Sequence, residues 1–213
     1  MILFLLIFLP LIIGLLVIRL LFILLTIHKA PPLLQQPLTS PRRLLCVAGS
    51  GGHTAELLQL LQTLSDHYNP RHYIVATTDT LSQHRIEMFE ETRNVDITIS
   101  KIPRAREVGQ SYLTSLLTTM FSQLVCVPYV ARARPDIVLV NGPGTCIPVC
   151  VFVLVMRCLG LCRGRIVYVE SVCRVRTLSL SGKILLYFAD HVLVQWPQLA
   201  ERYTRCEYIG RLS

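Results

Sequence analysis

The chain opens on an unbroken apolar block. Residues 1–27 are almost entirely Leu, Ile, Phe and Val, and Arg19 is the one charged residue among them. A helix rises about 1.5 Å per residue, so this block reaches about 40 Å against a bilayer core of about 30 Å. It is long enough to span once, with tilt, and a helix satisfies its own backbone groups in lipid. An arginine near the end of such a helix snorkels to the headgroups. Pro10 and Gly14 mark points where the helix can kink. A cleaved signal sequence needs a basic start, a shorter apolar core and a small-residue cleavage site; the first 18 residues carry no charge and no A-x-A follows. Lys29, Arg42 and Arg43 come after the block, which by the positive-inside rule puts the rest of the chain on the cytosolic side.

Residues 28–42 break the pattern. Pro31, Pro32, Pro37 and Pro41 make an extended linker. From residue 43 to 213 the pattern alternates, as one domain of ordinary size. Short apolar runs at 44–48, 73–76, 95–99, 137–140, 166–169 and 191–194 predict strands, with a last one near Glu207. Between them, helical spacing or composition predicts helices over 54–64, 81–91, 112–133, 147–159 and 179–188, and a short one near Gln198. Lys101 to Arg106 reads as a basic loop. Continuous apolar strands alternating with helices imply a parallel sheet covered on both faces, a doubly wound Rossmann-like α/β domain. The helices over 112–133 and 147–159 hold more apolar residues than one buried stripe needs, which leaves some for lipid or a partner.

Charge and cysteine refine this picture. The net charge is +8. Anionic headgroups are its first explanation and a phosphate-bearing substrate the second. No motif for RNA or DNA occurs, so no nucleic-acid partner is expected. Eight cysteines on the cytosolic side are expected as thiols. Cys146, Cys150, Cys158 and Cys162 sit in an apolar stretch and read as buried small hydrophobes rather than metal ligands.

In this architecture ligands bind beyond the C-terminal ends of the strands, and three loops fall there. The first is Gly49-Ser50-Gly51-Gly52-His53-Thr54-Ala55-Glu56. Its glycines admit close backbone approach, and the helix that follows offers N–H groups to an anion such as a diphosphate. A plain turn with His53 or Thr54 as helix cap is the structural alternative. His53, an imidazole at this turn, is a candidate base. The second loop, Asn141-Gly142-Pro143-Gly144-Thr145, exposes backbone in the same way, or else is a turn capped by Thr145. The third is Glu170-Ser171-Val172-Cys173-Arg174-Val175-Arg176. Glu170 is placed to hold a sugar hydroxyl, to orient His53, or to act as the alternative base, and Arg174 and Arg176 are placed to meet phosphate. Arg104 and Arg106 read either as headgroup contacts, the favoured reading, or as a solvated run. No D-x-D sequence occurs, so no essential protein-bound metal is expected.

These loops, together with Pro135-Asp136 and Tyr168-Val169 ahead of the second and third and the N-terminal anchor, resemble the membrane-anchored subunits of the UDP-N-acetylglucosamine transferase of dolichol-linked oligosaccharide synthesis. They are more distantly similar to the N-terminal, acceptor-binding half of GT-B glycosyltransferases. The resemblance implies a single pass in the endoplasmic reticulum membrane and a domain on its cytosolic face. It implies a cytosolic partner subunit that holds the donor UDP-GlcNAc, with no cofactor bound by this chain. The acceptor it implies is GlcNAc-diphospho-dolichol, extended by a β1,4-linked second GlcNAc. On this reading His53 and Glu170 serve catalysis, while Gly49, Ser50, Gly51, Gly52, Thr54, Asn141, Gly142, Gly144, Thr145, Ser171 and Arg174 hold the acceptor diphosphate. GT-B chains leave their first domain at the place that Glu207 to Ser213 takes here, so that segment is a candidate partner contact. Two rivals are a non-catalytic membrane scaffold and a membrane-bound dinucleotide-dependent oxidoreductase; the latter needs Asp79 as its ribose-binding acid and leaves His53 unexplained.

Overall fold

The computed structural model describes residues 2–29, 41–65, 67–93, 95–103, 112–142 and 144–212, by backbone alone at 2–7, 112–120 and 123. The linker over 30–40, Arg104, Arg106 and Pro143 lie outside the described residues. The helices are α1 (Ile2–His28), α2 (Gly52–Gln62), α3 (Thr80–Glu91), α4 (Tyr112–Ala133), α5 (Cys146–Cys158), α6 (Leu180–Leu185) and α7 (Pro197–Arg202). The strands are β1 (Leu44–Val47), β2 (Arg71–Ala76), β3 (Ile97–Ile102), β4 (Ile137–Asn141), β5 (Arg165–Val169), β6 (His191–Val194) and β7 (Cys206–Tyr208). They form one sheet in the order β3-β2-β1-β4-β5-β6-β7, parallel at every pairing. This is the doubly wound class that the alternating pattern predicts.

Burial follows the period of the strands. In β1, Leu45 and Val47 face one layer of the core, and Leu44 and Cys46 face the other. The first layer takes in buried residues of α4, α5, α6 and α7. The second takes in Leu57, Leu58 and Leu61 of α2 and Ile86 of α3, with Ile209 and Leu212 of the C-terminal segment packed against it. The chain therefore sends α2 to one face of the sheet after β1 and α5 to the other face after β4, although β1 and β4 are neighbours. A crevice opens beyond the C-terminal ends of two such strands, where successive connections part.

Several boundaries differ from the sequence pattern, three of them in ways that bear on the loops. Lys101 belongs to β3 rather than to a loop: β3 pairs with β2 residue by residue from Arg71↔Ile97 to Ala76↔Ile102, and this ladder carries the strand past its apolar start. The helix after the first loop begins at Gly52 rather than Thr54. Ser179 stands outside α6 as its cap, accepting a hydrogen bond from the Gly182 N–H. Cys146 and Cys150 are buried, and burial pushes the Cys146 thiol up to about 12, so it behaves as a small hydrophobe. Cys158 and Cys162 are only half-buried.

The apolar helix α1 packs against α5. Ile27 is buried, and Arg19 reaches Gly160, where an added Cβ would stand 2.9 Å from Arg19 Nη2. That contact lies at the C-terminal end of α5, where unpaired carbonyls favour a cation. On α4, on α5 and just beyond it, Phe121, Leu124, Val155, Leu159 and Leu161 remain exposed.

Candidate functional site

The residues at the strand ends follow from the turn each strand must make. After β1 the chain turns into α2 through Gly51, whose φ of +63° suits glycine. Gly51 is the N-cap, and no side-chain cap hydrogen bond is made there. The first N–H groups of α2 are thus left for another acceptor. After β4 the chain turns through Gly142 at φ +107°. A Cβ at Gly142 would lie 2.6 Å from His53 Cγ, so a glycine is what lets the imidazole of the first loop rest on the second. At Gly51, Gly52 and Gly144 an added Cβ would meet no heavy atom of the described residues within 4 Å. The backbone of both loops therefore has an open side.

His53 is half-buried, and its Nδ1 lies 3.0 Å from Asn141 Oδ1. Asn141, 1% exposed, donates from Nδ2 to Glu56 Oε2 at 2.9 Å. Glu56 Oε1 in turn accepts from Ser171 Oγ at 2.8 Å and from the Val172 N–H at 3.3 Å. One carboxylate on α2 thus ties together the loops after β4 and β5, and through Asn141 it reaches the imidazole of the loop after β1.

Several side chains expected to bind ligand are engaged in this framework. The Thr54 hydroxyl is buried, donates to the Gly49 carbonyl and meets Ser82 Oγ at 2.7 Å. Ser171 spends its hydroxyl on Glu56, and Asn141 spends its amide on His53 and Glu56. Thr145 stands at the cap of α5 but makes no side-chain cap hydrogen bond. Ser50 and Arg174 are exposed.

Glu170, expected as the alternative base or as the group that orients His53, is turned into the protein. It is 1% exposed and accepts from Tyr168 Oη at 3.0 Å, the Ser171 N–H at 3.0 Å and the Ser179 N–H at 2.8 Å. Its Oε2 would stand 2.6 Å from a Cβ at Gly182. Burial, reinforced by the Glu170 charge, pushes the Tyr168 phenol well above its usual range, so Tyr168 stays a donor. Glu170 holds the third loop against α6, and Asn141 is the residue that orients His53. Asp79 is likewise engaged: its two oxygens accept from the Ser82 N–H at 3.0 Å and from Ser82 Oγ at 2.7 Å, as the cap of α3. Both oxygens of the acid a dinucleotide site would use are thus engaged in capping α3.

A family model described as "Oligosaccharide biosynthesis protein Alg14 like" matches residues 44–212. The chain belongs to this family. It is 50% identical over 179 residues to the UDP-N-acetylglucosamine transferase subunit ALG14 of Mus musculus, covering 80% of this chain and 82% of the mouse protein. The subunit of the same name from Yarrowia lipolytica is 44% identical over 205 residues, 94% of each chain. Among solved structures, Acinetobacter baumannii MurG superposes with a TM-score of 0.56 at 15% identity. The match covers 80% of this chain and 45% of MurG, so the chain spans about half the length of that protein. At this identity the likeness is one of fold, the Rossmann-like half of a GT-B architecture.

In this Alg14-family chain, Glu56 is the residue that the sequence reading left without a role. One signal for it was present: Glu56 follows His53 by three positions at the start of a helix, and that spacing puts two side chains on one face.

Proposed function

We propose that this chain is the membrane-anchored, acceptor-binding subunit of a two-chain N-acetylglucosaminyltransferase. A cytosolic partner subunit holds the donor, UDP-GlcNAc. The acceptor is GlcNAc-diphospho-dolichol, and the product carries a second, β1,4-linked GlcNAc. Single-pass anchoring by α1 at the cytosolic face of the endoplasmic reticulum keeps the domain beside an acceptor whose tail stays in the bilayer. The observation that carries this reading is the seating of His53 between two glycine loops at the strand ends of an Alg14-family domain.

The chemistry is an inverting displacement. The open N–H groups at the start of α2 and the loop 142–145 receive the acceptor diphosphate. Ser50 and Arg174, exposed at the rim, add contacts to it. His53 takes the proton of the acceptor 4-hydroxyl as that oxygen forms its bond to C1 of the donor sugar. The bond from C1 to the diphosphate oxygen breaks, and UDP leaves with its electron pair. The chain binds no cofactor of its own.

The test is His53→Ala in the co-purified two-chain complex. Turnover should fall about 10²- to 10⁴-fold, the range for loss of a general base, while the partner still co-purifies. Near-wild-type turnover would overturn the base assignment and favour a scaffold that only recruits the partner.

A further inference from the structure

An imidazole works as a base only through a nitrogen that carries no proton. His53 has two, and the structure distinguishes them. Nδ1 faces Asn141 Oδ1 at 3.0 Å, whereas no protein hydrogen bond reaches Nε2 among the described residues. The proton position on the ring therefore depends on which end of the Asn141 amide faces it. An amide oxygen only accepts and an amide nitrogen only donates.

Glu56 decides that orientation. Its Oε1 is held by the Ser171 hydroxyl and the Val172 N–H, and its Oε2 meets the Asn141 amide at 2.9 Å. A carboxylate in that place needs a donor, so the amide must turn Nδ2 toward Glu56 and Oδ1 toward His53. Nδ1 can then satisfy Oδ1 only by donating. The ring proton sits on Nδ1, and Nε2 keeps its lone pair. Asn141 is 1% exposed, so a reversed amide would leave its buried oxygen facing the Glu56 carboxylate, two acceptors with no proton between them.

We infer that Glu56 is a positioning residue that sets the tautomer of His53 through Asn141. It holds Nε2 unprotonated toward the acceptor hydroxyl. This rests on the reading of His53 as the base. The relay also couples the three loops. Glu56 keeps its orienting position only while Ser171 and Val172 of the third loop hold Oε1, so the third loop, which carries no base, conditions the proton chemistry of the first.

Glu56→Gln isolates the effect. The glutamine Oε1 keeps the Ser171 and Val172 hydrogen bonds, but an NH₂ now faces Asn141. The amide must reverse and offer Nδ2 to His53, whose Nδ1 becomes the acceptor and whose proton moves to Nε2. With ¹⁵N-histidine-labelled full chain in its partner complex, long-range ¹H–¹⁵N spectra read the tautomer directly, and His53→Ala assigns the signal. The expected result is Nδ1–H in the native protein and Nε2–H in Glu56→Gln. With it, kcat should fall about 10²-fold, the low end for a lost general base, at an acceptor KM within about threefold. An Nε2–H ring in the native protein, or an unmoved tautomer in Glu56→Gln, would overturn the relay even if His53→Ala is inactive. A shifted tautomer with full turnover in His53→Ala would instead support the relay and sink the base assignment.

Discussion

At the scale of single residues, the glycines of the two loops differ in what they do. Gly142 lies at φ +107°, and a methyl there would collide with the His53 ring. Gly144 has open space at the same test and no left-handed φ. Gly142→Ala should therefore destabilise the protein by about 1–3 kcal/mol through backbone strain and displace the imidazole. Thermal denaturation of the purified chain and turnover of the complex both report it. Gly144→Ala should leave stability within about 0.5 kcal/mol of native, as substitutions away from packed features do. Equal effects at the two positions would show that His53 is not seated on Gly142.

At the scale of elements, β2 is locked to α3 by a buried ion pair. Arg71 is 0% and Glu90 3% exposed. Arg71 Nη1 donates to both Glu90 oxygens, at 2.9 and 3.1 Å, and Nε donates to the Tyr68 carbonyl. Tyr73 donates to the same carboxylate, and burial holds its phenol far above the usual range. Arg71 Nη2 is buried with no partner among the described residues, so the pair is incompletely satisfied there. Removing one ion of such a pair leaves a buried charge uncompensated, which costs about 3–5 kcal/mol, whereas apolar replacement of both is often neutral. Glu90→Ala should cost that much in chemical denaturation. Arg71→Met combined with Glu90→Leu should recover most of it. The lock steadies the β2–α3 connection, where Ser82 backs the hydroxyl of Thr54 in the first loop.

At the scale of the whole molecule, α1 does more than tether. It packs on α5, with Arg19 reaching Gly160 just past the end of that helix, so the domain is held close to its helix and not merely strung from it. The exposed apolar side chains of α4 and α5 lie on the elements nearest that contact. On the proposed function, this fixes the domain at the surface where the lipid-linked acceptor is concentrated. Deleting residues 1–28 should lower turnover on a long polyprenyl acceptor in vesicles by about 10²-fold or more, the scale of a lost effective concentration. Turnover on a short, water-soluble acceptor should change little. An equal loss on both acceptors would mean that α1 supports the fold rather than delivery.

Much of this was legible in the chain itself. The apolar block of α1, the alternation of the later elements and the three glycine-, histidine- or carboxylate-bearing loops are local patterns, and hydrophobic period and turn chemistry act locally. They placed β6 and α4 at their observed bounds and put His53 at a strand end. The tertiary structure alone decided which loop residues face one another. Asn141, Ser171 and Glu56 lie on different elements, far apart in the chain, and only the adjacency of β1, β4 and β5 brings them within hydrogen-bond reach. For the same reason the part that position suggested for Glu170, beside His53, is not where the fold puts it. A carboxylate at a strand end looks reactive in sequence, but folding buried Glu170 among donors of its own loop. The carboxylate one turn into α2 instead meets Asn141, which in turn meets the histidine, because which acid meets which donor is settled by packing across the sheet and not by spacing along the chain.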